Sequence, residues 1–410
     1  VGEVWVCSGQ SNMAWRVEQS ANAQEEIANA HHPMIRLFSV AQAHADTPLE
    51  TVKGQWVECG PKTAGSFAAV GYFFGRDLHK ALGVPVGLIN SSVGGTPAEA
   101  WTSQKALERD PALKVITDRY AALMKDYPKA REKYLAAVEK HKEAVTQAKK
   151  DGKTPPRAPQ APMGPGNPRR PAALYNGMIA PLIPYGIRGA IWYQGESNAG
   201  QAYLYRTLFP AMIKNWREDW GLGNFPFLFV QLAPYMKIET EPKESAWAEL
   251  REAQLLASQT LPNTAMAVIT DVGEEKDIHP KKKGPVGNRL ALAARALAYG
   301  EKIEYSGPVY KTMTIKGDQV HLRFDHSGGG LMVKGDQLQG FTIAGANHQF
   351  VNAEAQIQNG EVVVWSPKVP NPGAVRFGWA NYPVVNLWNK DGLPATPFRT
   401  DDFPLTTGPK

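Results

Sequence analysis

Only two cysteines, Cys7 and Cys59, occur in 410 residues. They are too few for a disulfide framework or a four-ligand zinc site, and buried free thiols are favoured over a single bridge. No apolar run approaches the ~20 residues needed to cross a bilayer. Even LALAARALAYG at 290–300 is interrupted by Arg295. There is no H-E-x-x-H, no paired C-x-x-C and no P-loop, so neither zinc nor a nucleotide phosphate has a motif, and no cofactor is expected. The G-x-S-x-G elbow is missing as well, because Met13 stands where its second glycine would be, two residues after Ser11. Charge of one sign is scarce outside a single stretch. Lys105 to Arg157 carries 14 basic against 8 acidic residues, and the rest of the chain is balanced. A nucleic-acid partner is therefore not expected, since a basic face would belong to the main fold.

What is present is ample core-forming material: 43% hydrophobic and 10% aromatic residues with only 20% charged. At this length more than one hydrophobic core is expected. The chain opens on VGEVWVCSG, a strand already under way, so any leader or upstream domain lies outside it. Strand patterns at 3–8, 86–90, 187–193, 227–232 and 265–270 alternate with helical patterns at 67–82, 203–219, 245–259 and 284–299. That rhythm predicts a parallel sheet with helices on both faces. Residues 1–103 and 172–300 thus form one split α/β domain.

Between them, Leu113, Ile116, Tyr120, Leu123 and Tyr127, then Tyr134, Val138, His141, Val145 and Ala148, alternate steps of three and four. With Pro128 between the two runs, they predict a helical hairpin. Residues 151–171 hold seven prolines and three glycines and predict an extended return strap, completing a 104–171 insertion. From about 301 to 410 alternating runs such as QVHLRF, EVVVWS and AVRFGW predict a C-terminal all-β, sandwich-like domain.

In an open α/β sheet the site lies beyond the carboxyl ends of the strands. Four polar clusters fall there: Ser8 to Met13, Asn90 to Thr96, Gln194 to Asn198, and Asp277-Ile278-His279-Pro280. Singly, each has an ordinary explanation, such as a helix cap for Ser11 or a tight turn at Gly94-Gly95. Together they supply a serine, a histidine base with an acidic partner, and amide donors for a developing oxyanion. Lys281-Lys282-Lys283 read as a solvated loop, with steering of an acidic sugar as the alternative.

The motifs GEVWVCSGQSNM, VGGTPAEAW, YNGMIAPL, WYQGESNA and DIHP with GNRLALAA, in this order, resemble the SGNH hydrolase superfamily and within it the sialate O-acetylesterase family of carbohydrate esterases. The tail segments VRFGWAN, NLWN and GLPATPFRTD are similar to that family's C-terminal end. The resemblance implies Ser11 as nucleophile, His279 as base, Asp277 as its orienting acid, and the amides of Ser11 and Gly95 in the oxyanion hole. The superfamily's third block is Gly-x-Asn-Asp, whereas here Ser197 stands in the asparagine position. Gln194 is then the expected side-chain donor, with Asn198 in reserve, and Gln10, Asn12 and Glu196 are expected to contact substrate. The last block is usually Asp-x-x-His, so Asp271 stays open as an alternative acid. The implied activity is removal of O-acetyl groups from carbohydrate, with O-acetylated sialic acid first and acetylated xylan or another plant glycan second. A periplasmic or secreted location goes with it. A noncatalytic glycan-binding protein is the alternative from another class.

Overall fold

The computed structural model describes residues 2–409. Seven strands form its central sheet: β1 (Glu3–Gly9), β2 (His32–Ser39), β3 (Trp56–Cys59), β4 (Val86–Ser92), β5 (Gly189–Tyr193), β6 (Phe227–Val230) and β7 (Thr264–Ala267). Their order is β3-β2-β4-β1-β5-β6-β7, parallel throughout except for the antiparallel edge strand β3. The five strand segments expected from sequence are all here. The left edge, β2 and β3, was not foreseen. β2 buries only Ile35 and Leu37 fully among charged and exposed neighbours, so its period-two signal is short.

The helices are α1 (Ser11–Ala14), α2 (Ala23–Ala28), α3 (Ala69–Leu82), α4 (Gln104–Arg109), α5 (Lys114–Lys150), α6 (Ala202–Trp220), α7 (Ala246–Thr260) and α8 (Gly284–Tyr299). In β1, Val6 joins one apolar cluster with α6 and α7, while Trp5 and Cys7 join a second with α3 and α8. Both faces of the sheet are covered, as parallel strands require. Cys7 and Cys59 are buried free thiols.

The insertion corrects one expectation. Instead of a hairpin, α5 is one 37-residue helix that runs through Pro128. Pro128 removes the bond to the Met124 carbonyl, a loss on the order of 3 kcal/mol in a helix interior. Packing on its N-terminal side offsets part of that loss: Leu113 and Ile116 root the helix in the core, and Gly164 of the strap touches the Tyr127 ring, whereas most residues after Pro128 are exposed until buried Ala148.

Beyond residue 300 the antiparallel strands include β8 (Val309–Lys316), β9 (Gln319–Asp325), β10 (Leu331–Val333), β11 (Phe341–Ala344), β12 (Val351–Asn352), β13 (Glu354–Gln358), β14 (Glu361–Trp365), β15 (Ala374–Phe377), β16 (Leu387–Asn389) and β17 (Phe398–Arg399). Sheets β13-β14-β9-β8 and β12-β11-β15-β17 enclose Val320, Leu322, Val362 and Val364 against Phe341, Ile343, Val375 and Phe377. This is a sandwich, as expected. It is sewn to the central sheet by Arg251 of α7, which donates to the carbonyls of Leu232 (2.8 Å), Ala380 (2.7 Å) and Asn381 (2.8 Å).

Candidate active site

β1 lies at the centre of the sheet between β4 and β5, and α1 begins directly after it. Gly9 at the strand end has φ +137°, and a β-carbon there would sit 2.2 Å from the Tyr193 carbonyl oxygen. Only glycine lets the chain turn that close to β5. Ser11 is thereby presented at the first turn of α1, half-buried. Among the described residues its Oγ makes no hydrogen bond. The loop after β4 passes over it: the β-carbon direction of Gly94 points to Ser11 Cβ at 3.4 Å. Gly95 has φ +69° with nothing within 4 Å of its β-carbon direction, so its backbone conformation favours glycine and faces open space. The Thr96 hydroxyl donates to the Val93 carbonyl at 2.7 Å and accepts from Trp101 Nε1 at 3.0 Å, which fixes this loop.

His279 reaches the same place from the segment after β7. Its ring stacks on Trp15, with centroids 5.1 Å apart, and its Nδ1 lies 3.4 Å from Asp277 Oδ1. The same oxygen accepts the His279 backbone N–H at 2.9 Å, so the carboxylate is held by a local turn. Asp271, the alternative acid, forms a two-bond pair with Arg289 at 2.6 and 2.8 Å and is not turned to the histidine. Burial lowers the pKa of His279 below its ordinary 6.5, Lys283 adds to this, and Asp277 opposes it.

The third cluster is arranged differently from expectation. Gln194 is fully buried, and both of its amide hydrogens are engaged, with the Thr96 carbonyl at 3.3 Å and Asn198 Oδ1 at 2.6 Å. It has no hydrogen left for an oxyanion. Asn198 Oδ1 accepts from Gln194 and from the Ala98 amide, while its Nδ2 donates to Glu99 at 2.9 Å. One Nδ2 hydrogen of Asn198 is therefore without an acceptor among the described residues. Gln10, Asn12 and Glu196 also turn inward instead of lining a substrate cleft. Gln10 Oε1 accepts the Ser197 amide at 3.4 Å. Asn12, with no exposed surface, donates to Glu196 Oε1 at 2.6 Å and to the Ile278 carbonyl at 3.0 Å. Glu196 Oε2 is shielded and unpartnered, and burial raises the carboxyl's pKa.

Two residues near the site escaped sequence reasoning in the roles they hold here. Trp15 carried no motif signal. Lys283 was read with its solvated neighbours, yet Lys281 and Lys282 are exposed while Lys283 is 1% exposed. The available signal was helical spacing, because Lys283 precedes buried Val286, Gly287 and Leu290 by three, four and seven positions.

This arrangement has the parts for acyl transfer, a free hydroxyl, an oriented imidazole and exposed glycine amides on neighbouring loops beyond the strand ends, with Asn12 beside Ser11 bonded to Ile278 beside His279. The family model described as carbohydrate esterase, sialic acid-specific acetylesterase, matches residues 1–148 and 169–296. The chain belongs to this family. The esterase is 31% identical over 434 residues to the sialate O-acetylesterase of Rattus norvegicus, an alignment covering 97% of this chain and 77% of the rat protein. With the sialate O-acetylesterase of Mus musculus it shares 33% identity over 339 residues, 77% of this chain and 60% of that protein. Among solved structures, a carbohydrate acetylesterase from Xanthomonas citri superposes with a TM-score of 0.82 at 38% identity, covering 98% of this chain and 81% of that one. The esterase is thus a carboxylic ester hydrolase acting on acetylated carbohydrate, which removes the noncatalytic reading. Among the described residues no helix is long and apolar enough to cross a membrane.

Proposed function

We propose that the esterase releases acetate from O-acetylated sialic acid through an acyl-enzyme on Ser11. The observation that carries the assignment is that the Gly94-Gly95 loop packs on free Ser11 while the next residue, Asn12, bonds the Ile278 carbonyl beside the Asp277-oriented imidazole of His279. With Nδ1 facing Asp277, Nε2 of His279 takes the Ser11 proton as Oγ attacks the acetyl carbonyl. The amides of Ser11 and Gly95 and the Nδ2 group of Asn198 receive the developing negative charge. His279 then returns the proton to the departing sugar hydroxyl. In the second half it deprotonates water, which frees acetate and regenerates Ser11. Gln194 acts behind Asn198 as its support.

Sialic acid as the sugar is supported by the family and by the mammalian relatives. Acetylxylan or another plant glycan is the second reading. It stays open because the 38% identity to a carbohydrate acetylesterase exceeds that to the mammalian sialate O-acetylesterases and names no particular sugar. An extracytoplasmic location, periplasmic or secreted, follows from such substrates. The deciding experiment measures acetate release from O-acetylated sialic acid beside acetylated xylan with one enzyme preparation and a Ser11→Ala control. Turnover of xylan alone would replace the sialic acid assignment.

A further inference from the structure

Lys283 is a buried cation that the reaction as described does not use. Its Nζ donates to Asn12 Oδ1 at 2.5 Å and lies over the rings of Tyr193 and Trp15, 5.1 and 5.8 Å from their centroids. A charge-assisted bond to a neutral amide fixes that amide's orientation. Asn12 is the residue after Ser11, and the amide so fixed donates at once to Glu196 Oε1 and to the carbonyl of Ile278. Ile278 stands between Asp277 and His279. One side chain therefore ties the turn that presents the nucleophile to the loop that presents the base, and Lys283 holds that side chain. Trp15, beside Lys283, is also the ring on which His279 stacks.

A lysine that served only for packing would need its methylene stem and no charge, and burying an ammonium costs several kcal/mol. We propose that Lys283 is a positioning residue for ester hydrolysis: it locks Asn12 so that Ser11 and the Asp277–His279 loop keep their relative placement. The proposal rests on the assignment of Ser11 and His279 above. The charged groups facing Lys283 are Glu196 after β5 and Glu274 and Asp277 in the segment after β7. Those facing His279 are Asp277 and Lys283. Burial brings Lys283 down to about 7 against the pull of its three carboxylates. It is therefore cationic in the range below 6.5 where His279 titrates.

The test compares wild type, Ser11→Ala, Lys283→Met, Lys283→Gln and Lys283→Arg on 4-nitrophenyl acetate across the acid limb of kcat/KM. Lys283→Met should lose about 10–100-fold in kcat with KM little changed, as a small misplacement of reacting groups does. Its acid limb should move to higher pH, because a positive neighbour of His279 is gone. Lys283→Gln can still donate to Asn12 without charge, so it should show the same shift with a smaller loss. It also serves if the methionine variant does not fold. Lys283→Arg should keep the limb in place. Neutral variants with kcat within about twofold of wild type and an unmoved limb overturn the proposal, while an inactive Ser11→Ala leaves the Ser11 assignment standing. An active Ser11→Ala overturns that assignment instead.

Discussion

The histidine's protonation state sets the first residue-scale expectation. In the proposed mechanism neutral His279 is the base, and burial together with Lys283 holds its pKa below 6.5. kcat/KM should fall as pH drops through a midpoint under 6.5; a midpoint above that value contradicts the environment seen here. The oxyanion donors come next. Removing one preorganised donor costs ~10²–10³ in kcat, so Asn198→Ala should show such a loss with KM little changed. Gln194→Ala should act mainly on stability, by about 1–3 kcal/mol, because it orphans the Thr96 carbonyl and the Tyr205 hydroxyl that donates to Gln194 Oε1 at 2.9 Å. Chemical denaturation beside steady-state kinetics separates the two. Asp277→Asn should lower kcat far more than Asp271→Asn, since only Asp277 faces the imidazole. The Asp271 variant should instead lower the melting temperature by loosening Arg289.

At the scale of elements, the long helix α5 and its strap are separable from the chemistry. Their roots are not, because Leu107, Leu113 and Ile116 belong to the core shared with α6, and buried Arg170 pairs with Asp46. Tyr127 and Gly164 are in contact, so excising 129–162 and closing the gap with a short Gly/Ser linker joins two segments already adjacent. Hydrolysis of 4-nitrophenyl acetate by that variant should stay within a fewfold of wild type. Complete inactivity of a folded variant would place part of α5 in the site. The hairpin expected from sequence failed here for a definable reason. Proline costs the helix one backbone bond without forcing a break, and Tyr127 and Tyr134, seven positions apart, keep the two apolar runs in one helical register.

For the whole molecule, hydrogen bonds between the sandwich and the α/β sheet predict unfolding as one cooperative body. Arg251, wholly buried, holds carbonyls of both, and its pKa is brought down to about 9 by burial. Glu249, equally buried, receives the amides and hydroxyls of Thr406 and Thr407 from the tail. Arg251→Met should destabilise the fold by on the order of 3 kcal/mol by leaving the Ala380 and Asn381 carbonyls unpaired, read as a lower denaturant midpoint. A two-step unfolding curve in wild type would show that the two units melt separately.

The sequence by itself determined the central strands, the four helices α3, α6, α7 and α8, the all-β tail and the place of Ser11 and His279, because these rest on local patterns. Apolar runs, periodicity of 3.6 or 2, and polar clusters at strand ends are properties of neighbours in the chain. Tertiary structure decided the rest. Which carboxylate faces His279 depended on Arg289, 18 positions from Asp271, claiming the other one. Whether Gln194 or Asn198 offers a free hydrogen depended on Thr96 and Glu99, nearly a hundred positions away. Lys283 became a buried charge because Asn12, 271 residues earlier, supplies its acceptor. Burial and hydrogen-bond competition are settled between segments distant in sequence, and no local pattern encodes them.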